Sequence, residues 1–336
     1  MPRIARTIGV LLVLGACTQD PEESVGSGRY AGMNMQGMNM PGMNMQGMNM
    51  QGMNMQGFRL GGVTLSGDTL ENVRVEKGEL VAERRKKATS NHTFTLRGTA
   101  LVGAHLYAQA QSTLQTIAVE YRIADIEPES AAYDPTSSGA TYLYQLEQWV
   151  ADDGTWNAAC PVDPDGRQAA IPLTATWDAQ GDRVESSALF TFGCTTGVLA
   201  KCYRWGYRPW LEGYGDMVSM HWACTRAARA DYCGNGVSHT QDGTWINIWD
   251  RLPPPGPIQT KADAPPDFIF EAGWNTGGAV CLSHLRWLAP DALAIAAQCP
   301  TRLIPLGLGE TICDTTEQVL SIDPDAQLFD ESQIHL

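Results

Sequence analysis

The sequence predicts a mainly β fold of the α+β class. The expected domain is antiparallel, β-rich and disulfide-stapled, with one or two helices, and it follows a pentad-repeat stalk or short β-helix-like segment. Three observations predict it. From Thr93 onward, short runs of alternating apolar and polar residues are punctuated by Gly, Pro and Asp, the pattern of half-buried strands joined by turns. One stretch, 217–232, carries clear helical periodicity instead. Of the nine cysteines, all but Cys17 lie beyond residue 159, and an even set of that kind in an exported chain reads as a disulfide framework.

The N-terminal segments come first. Arg3 and Arg6 precede an apolar run over 8–16 that is far shorter than the roughly 20 residues a spanning helix needs, so 1–16 reads as a signal peptide. Leu14-Gly15-Ala16-Cys17 matches a bacterial lipobox, which makes Cys17 the expected lipidation site. Several acyl chains there give a firm hold at about 0.8 kcal/mol per buried methylene. Thr18 rather than Asp follows the cysteine, which favours the outer membrane over inner-membrane retention.

A polar spacer, 17–31, leads to 32–57, where Gly-Met-Asn-Met-Gln recurs with Pro41 in place of one glutamine. The same five-residue frame continues through Gly57, Gly62, Gly67 and Asn72, with Leu60, Leu65, Leu70 and Val75 at the equivalent apolar position. These pentads resemble pentapeptide repeats, and that resemblance implies right-handed β-helical coils. Met33, Met38, Met43, Met48 and Met53 stand where that family prefers a small residue, so a flexible stalk is the competing reading for the methionine tract. Segment 58–87 is assigned as continuing pentads and linker, ending in Arg84-Arg85-Lys86-Lys87. The globular domain is assigned to 88–320 and an acidic tail to 321–336.

Within the globular part, strands are expected at 93–96, 101–107, 116–123, 141–146, 170–177, 188–193 and 245–249. Turns are expected at Asp152-Asp153-Gly154, Asp163-Pro164-Asp165-Gly166 and Ala179-Gln180-Gly181. The helix over 217–232 places Met220, Ala223, Cys224, Ala227 and Ala228 on one face with Arg226 and Arg229 opposite, and Gly234 is expected to stop it. After a break from Pro253 to Pro266, residues 277–288 are expected to form a second helix.

The formal net charge is −14, and it becomes more negative once Arg3 and Arg6 leave with the leader. Nucleic-acid backbones are bound by clustered Lys and Arg, so nucleic acid is excluded as an expected partner. The disulfide candidates are Cys160, Cys194, Cys202, Cys224, Cys233, Cys281, Cys299 and Cys313. Spacing alone leaves the pairing open, with Cys299 to Cys313 the first expectation as sequence neighbours.

Residues Ala230-Asp231-Tyr232-Cys233 carry the tetrad for which the ADYC domain family is named, and the chain resembles that family in neighbouring blocks too. These are Lys201-Cys202-Tyr203-Arg204-Trp205-Gly206-Tyr207-Arg208-Pro209-Trp210, His239-Thr240-Gln241-Asp242-Gly243-Thr244, Glu271-Ala272-Gly273-Trp274 and Gly278-Ala279-Val280-Cys281. The resemblance covers most of 93–315. It implies an exported protein, often a lipoprotein with a pentad-like leader, and it transfers no catalytic residue.

The densest cluster of reactive residue types is His221, Cys224, Asp231, Cys233 and His239. His221, Cys224, Cys233 and His239 have zinc-type donors, with the first two on one helical face. Cys233 with His239 would make a thiol nucleophile if the sulfur were unpaired, and Ser238 with His239 and an Asp is a weaker hydrolase reading. Against these stands a structural reading, which is preferred: Cys224 and Cys233 bonded to strand cysteines, Asp231 and Arg229 in local ion pairs, Tyr232 packed on the sheet. The aromatics Trp205, Tyr207, Trp210, Tyr214, Trp222, Trp245 and Trp249 are candidates for a carbohydrate or peptide groove. The Met-x-Met repeats offer thioethers suited to Cu(I).

Together these readings give an envelope-anchored lipoprotein acting as a binding or structural surface module. Its expected partners are the bilayer, through acylated Cys17, and an envelope protein, glycan or peptide. No cofactor, metal or catalytic residue is assigned. An enzyme or metal-binding protein centred on 221–240, or a Cu(I)-binding methionine tract, is the alternative.

Overall fold

The computed structural model describes residues 43–44, 58–85, 93–111, 116–129, 141–151, 154–178, 180–186, 189–241, 243–287, 295, 297–299 and 313–335. The signal peptide, Cys17, the polar spacer and all of the methionine repeats except Met43 and Asn44 lie outside the described residues.

In chain order the strands are β1 (Met43–Asn44), β2 (Phe58–Leu65), β3 (Asp68–Glu76), β4 (Glu79–Arg85), β5 (Thr93–Arg97), β6 (His105–Gln111), β7 (Thr116–Pro128), β8 (Tyr142–Val150) and β9 (Thr155–Ala158). They continue with β10 (Ala170–Thr174), β11 (Thr176–Trp177), β12 (Arg183–Val184), β13 (Phe190–Cys194), β14 (Trp245–Asp250), β15 (Ile269–Asn275), β16 (Gly278–Leu282) and β17 (Leu328–Ser332). The described helices are α1 (Val198–Arg204), α2 (Met217–Arg229) and α3 (Thr316–Ile322). The fold is mainly antiparallel β, as the alternation of the strand runs predicts. None of the described helices is long and apolar enough to cross a membrane.

Ten strands form one antiparallel sheet in the order β13-β10-β8-β7-β6-β2-β3-β4-β5, with β9 paired to β8. One face carries a core that includes Val63, Leu80, Leu106, Ile123, Tyr144 and Phe192. Across that core the Leu80 N–H donates to the Tyr144 hydroxyl at 2.8 Å, tying β4 to β8. Helix α1 covers Ile171 and Leu173 of β10 with Leu199, Ala200 and Tyr203.

Where the pentad frame predicted β-helical coils, residues 58–85 form an antiparallel meander. Ser66-Gly67 and Lys77-Gly78 all have positive φ, the geometry of two-residue hairpin turns whose twist matches the strands they join. Between the turns, register shifts fall at Leu60/Gly62 in β2 and Glu71/Arg74 in β3. The five-residue frame therefore marks bulge and turn alternately, a spacing that a hairpin can produce as well as a coil.

The second sheet has the order β1-β14-β17-β15-β16. Helix α2 lies on one face, where Met220, Ala223 and Ala227 meet Ile246, Ile248, Trp274 and Leu328. The opposite face carries Trp249, Phe270, Cys281, Cys313, Val319 and Phe329, partly covered by α3. Two expectations are corrected here. Residues 277–288 do not form a second helix, because Asn275 and Gly278 close a hairpin and 278–282 is β16. Residues 321–336, expected as an acidic tail, contribute a strand to the second sheet. Leu328–Ser332 is a fully buried strand between β14 and β15.

The eight cysteines form four disulfides: Cys160–Cys194, Cys202–Cys224, Cys233–Cys299 and Cys281–Cys313. They assign the domain to an oxidising, non-cytoplasmic compartment. The expected Cys299–Cys313 pair does not form, because the two sulfurs serve opposite faces of the second sheet. Cys299 joins the core beside α2, whereas Cys313 lies with Cys281 on the α3 side. Cys224 is not bonded to a strand cysteine either, since its partner Cys202 is on α1, and the partner of Cys233 also lies outside the strands.

Candidate functional site

Helix α2 begins where Asp216 accepts the Ser219 N–H at 3.1 Å and the Ser219 hydroxyl at 2.6 Å. A side chain that satisfies an orphan N–H of the first turn is a helix N-cap, and these bonds hold the Asp216 carboxyl below its ordinary range. The helix ends at Arg229, five residues before the expected stop at Gly234. Ala230 adopts the left-handed conformation, with φ of 49°, and its N–H reaches back to the Arg226 and Ala227 carbonyls. Glycine is the usual residue there, but the Ala230 methyl belongs to the core.

Each residue after that turn is placed by a specific bond. Asp231 is fully buried. Its Oδ1 accepts the Asn235 N–H at 3.1 Å, and its Oδ2 accepts the Gly236 N–H at 2.9 Å and Arg226 Nη1 at 2.5 Å. Arg226 also pairs with Asp182 and donates to the Thr276 and Gln180 carbonyls at 3.0 and 2.7 Å. One guanidinium thus joins α2, the turn at 180–182 and the β15–β16 hairpin. Fork geometry and permanent charge suit arginine to that task.

Tyr232 reaches the centre of the α2–sheet interface. Its hydroxyl donates to Glu271 Oε1 at 3.0 Å and accepts the Arg286 N–H at 2.9 Å. Its ring stacks between His239 and Trp274, at centroid distances of 5.9 and 5.5 Å. Burial pushes the phenol well above its ordinary pKa, with the charge of Glu271 adding to the effect. Glu271 is the extra residue of a bulge in β15, because Phe270 pairs with Glu331 while Ala272 pairs with Asp330. A bulge re-aims a side chain, and here the Glu271 carboxylate meets Arg286 through Nε and Nη2 at 3.0 and 2.8 Å. Arg286 Nη2 also contacts Asp330 Oδ2 at 3.1 Å, and Trp274 Nε1 donates to Asp330 Oδ1 at 2.7 Å. Burial and the neighbouring Glu271 push the Asp330 carboxyl well above the usual carboxylate range.

Cys233 closes the motif by bonding Cys299. The Tyr232 carbonyl accepts the Ala279 N–H at 3.0 Å. Gly234 lies so close to the hairpin that a Cβ on it would sit 2.1 Å from the Gly277 carbonyl oxygen. The expected role of Gly234 as the helix stop is therefore replaced by close backbone approach.

The other reactive candidates are distributed by the same packing. Cys224 and Cys233 are oxidised, so their sulfurs are neither thiolate ligands nor nucleophiles. His221 is fully buried, with Nε2 3.0 Å from the Leu199 carbonyl and its ring beside Trp177 and Tyr203. Desolvation lowers its pKa to about 4. The Ser238 hydroxyl donates to the Arg229 carbonyl at 3.0 Å. Among the described residues, no group of three or more His, Cys, Asp or Glu is arranged to hold a metal ion.

Of the seven aromatics proposed for a groove, Trp249 lines the open groove on the α3 face of the second sheet. Trp205 and Tyr207 are core residues, and the Tyr207 hydroxyl donates to Asp250 at 3.1 Å. Trp210 packs on Tyr203 at 4.4 Å. The groove has a volume of about 620 Å³ and adds Phe268, Ile269, Phe270, Lys261 and Glu331 to Trp249. Lys261 Nζ lies 4.6 Å from the Trp249 ring centroid and 2.7 Å from Glu331 Oε2. Phe270 and Lys261 had no signal in the sequence, since an aromatic on an alternating strand reads equally as core.

A family model described as the ADYC domain matches residues 98–288. No curated protein and no solved structure matches the chain.

Proposed function

The chain belongs to the ADYC domain family, and from that premise we propose that it is an envelope-anchored lipoprotein whose globular domain binds a glycan, peptide or protein of the cell envelope. The lipobox Leu14-Gly15-Ala16-Cys17 supports the anchor: acylated Cys17 holds the chain to the bilayer, in the outer membrane. Four disulfides accord with export to that side.

One observation carries the binding reading. The reactive side chains around the family tetrad are engaged in holding α2 to its sheet, while the opposite face of that sheet keeps an aromatic and charged groove at the surface. An apolar floor with a few polar groups is the usual composition of a ligand site. Lys261 on Trp249 marks a ring face that accepts a cation or a sugar C–H face.

Two measurements test the proposal. Cys17→Ser moves the protein from the membrane fraction to the soluble fraction; retention in the membrane overturns the anchor. Soluble peptidoglycan fragments and envelope-derived peptides are titrated against the oxidised domain and its Trp249→Ala variant. Binding that weakens at least about ten-fold in the variant supports the groove, and equal binding by both overturns it.

A further inference from the structure

On the reading of the Trp249 groove as a ligand site, we propose that its occupant is a lysine side chain of a peptide, seated where Lys261 now lies, and that Lys261 is the chain's own competitor for that seat. The seat is built before any ligand arrives. The Trp249 ring stacks with Phe329 at 6.0 Å and meets Phe270 edge-on at 5.9 Å. Asn247 Nδ2 donates to Glu331 Oε1 at 2.7 Å and to the Ala262 carbonyl at 2.9 Å, which fixes both the carboxylate and the backbone next to Lys261. Lys261 then places its ammonium 4.6 Å from the Trp249 ring centroid and 2.7 Å from Glu331 Oε2. A ring face and a carboxylate converging on one point favour a cation there.

Exchange at the seat decides the class of ligand. The Glu331 side chain is buried while that of Lys261 is half exposed, so Lys261 can turn to water at small cost and the carboxylate cannot. A neutral sugar that displaced Lys261 from the ring would leave Glu331 Oε2 buried without its cation, the costly result of removing one partner of a buried pair. An anionic ligand would meet Glu331 together with Asp314 and Glu317 of the same lining, on a chain of net charge −14. A ligand lysine replaces like with like. It restores both the pair with Glu331 and the contact with Trp249, and it brings the flexible four-carbon stem that an amino sugar lacks. Among the described lining residues Lys261 is the one basic side chain, so its departure leaves three carboxylates to attract the incoming ammonium.

Calorimetric titration of the full oxidised chain with the end-blocked peptide Ala-Leu-Lys-Leu-Ala, and with its counterpart carrying norleucine for lysine, tests both statements. The lysine peptide is expected to bind at least about five-fold more tightly, the scale of a cation–π contact in a partly dry site. Lys261→Ala is expected to tighten the lysine peptide by at least about three-fold, because a group that occupies the seat lowers the apparent affinity of its rival. Lys261→Arg keeps a competing cation and is expected to stay near wild type. Equal affinity for the two peptides overturns the cationic occupant. So does a lysine peptide that fails to bind at about 10 mM while peptidoglycan fragments bind through Trp249; in that case the groove stands and only its occupant is wrong. Unchanged or weaker lysine binding in Lys261→Ala overturns the competitor, as does tightening by Lys261→Arg as large as by Lys261→Ala. Equal lysine-peptide binding by wild type and Trp249→Ala overturns the seat itself.

Discussion

The Tyr232 hydroxyl donates to Glu271 Oε1 at 3.0 Å while accepting the Arg286 N–H, so one phenol oxygen satisfies two buried partners, one on β15 and one beyond the end of β16. Tyr232→Phe removes both bonds, leaving the buried Arg286 N–H without its partner and Glu271 Oε1 with Arg286 Nη2 alone. A loss of about 2 to 3 kcal/mol is expected, since orphaned buried groups cost more than the mean hydrogen bond is worth. Urea titration of the oxidised protein measures it. A loss under about 0.5 kcal/mol contradicts the structural role assigned to the tetrad.

Arg286 is the more severe position. It is fully buried against Glu271 and Asp330, and Arg286→Met strands two carboxyl groups. Removing one partner of a buried ion pair costs about 3 to 5 kcal/mol. Asp231→Asn is expected to cost about 3 kcal/mol on the same ground, because Arg226 then keeps Asp182 alone as its carboxylate partner. A double-mutant cycle of Asp231→Asn with Arg226→Leu should show strong coupling, and additive losses reject the pairing.

His221 predicts the acid limb of the stability curve. Its folded pKa of about 4 lies below the ordinary histidine value of 6.5, so the unfolded chain takes up the proton first. The contribution is complete above pH 6.5 and is lost as pH falls toward 4, amounting to about 3 kcal/mol over the window. His284 and His335, also lowered by burial, act in the same direction. Asp330 acts oppositely, because a carboxyl raised in the folded state loses stability as pH rises through its folded pKa. The stability gap between wild type and His221→Gln should narrow by about 2 to 3 kcal/mol between pH 7 and pH 4.5. An unchanged gap shows that His221 is not held neutral.

How far the sequence was legible follows from where each residue's pattern was generated. Strand β7 buries Tyr121 and Ile123 and leaves Arg122 between them only partly buried, so its period of two was visible, and helix α2 was legible from its apolar stripe although Arg226 and Arg229 opposite it are buried too. Helix α1 is buried along all seven residues, Lys201 and Arg204 included, and has no polar face to reveal it. In β16, Gly278, Ala279, Cys281 and Leu282 are all buried, which erases the alternation and invites a helical reading. The acidic composition of 321–336 read as a tail because its partners are remote: Asp330 meets Trp274 and Arg286, and Glu331 meets Asn247 and Lys261. The tetrad itself was legible as a signature. Its roles were not, since Glu271, Arg286 and Cys299 lie far along the chain.

Gly234 gives the sharpest separation of packing from backbone strain. At φ of 65° any L residue carries the left-handed penalty, and the Cβ of Gly234→Ala would also meet the Gly277 carbonyl at 2.1 Å. That carbonyl belongs to the turn whose Gly278 is itself pressed against the Tyr232 oxygen, at 2.5 Å from an added Cβ. Two backbones in mutual contact cannot yield as a flexible side chain does. Gly243 has φ of 85° with nothing within 4 Å of an added Cβ, so Gly243→Ala isolates the conformational term, about 1 to 2 kcal/mol. Gly234→Ala is expected to exceed it by at least about 2 kcal/mol, in the range of overpacked cores, and to slow formation of the Cys233–Cys299 bond during oxidative refolding. Equal losses for the two variants in urea would mean that the tetrad does not pack against the β15–β16 turn as the fold requires.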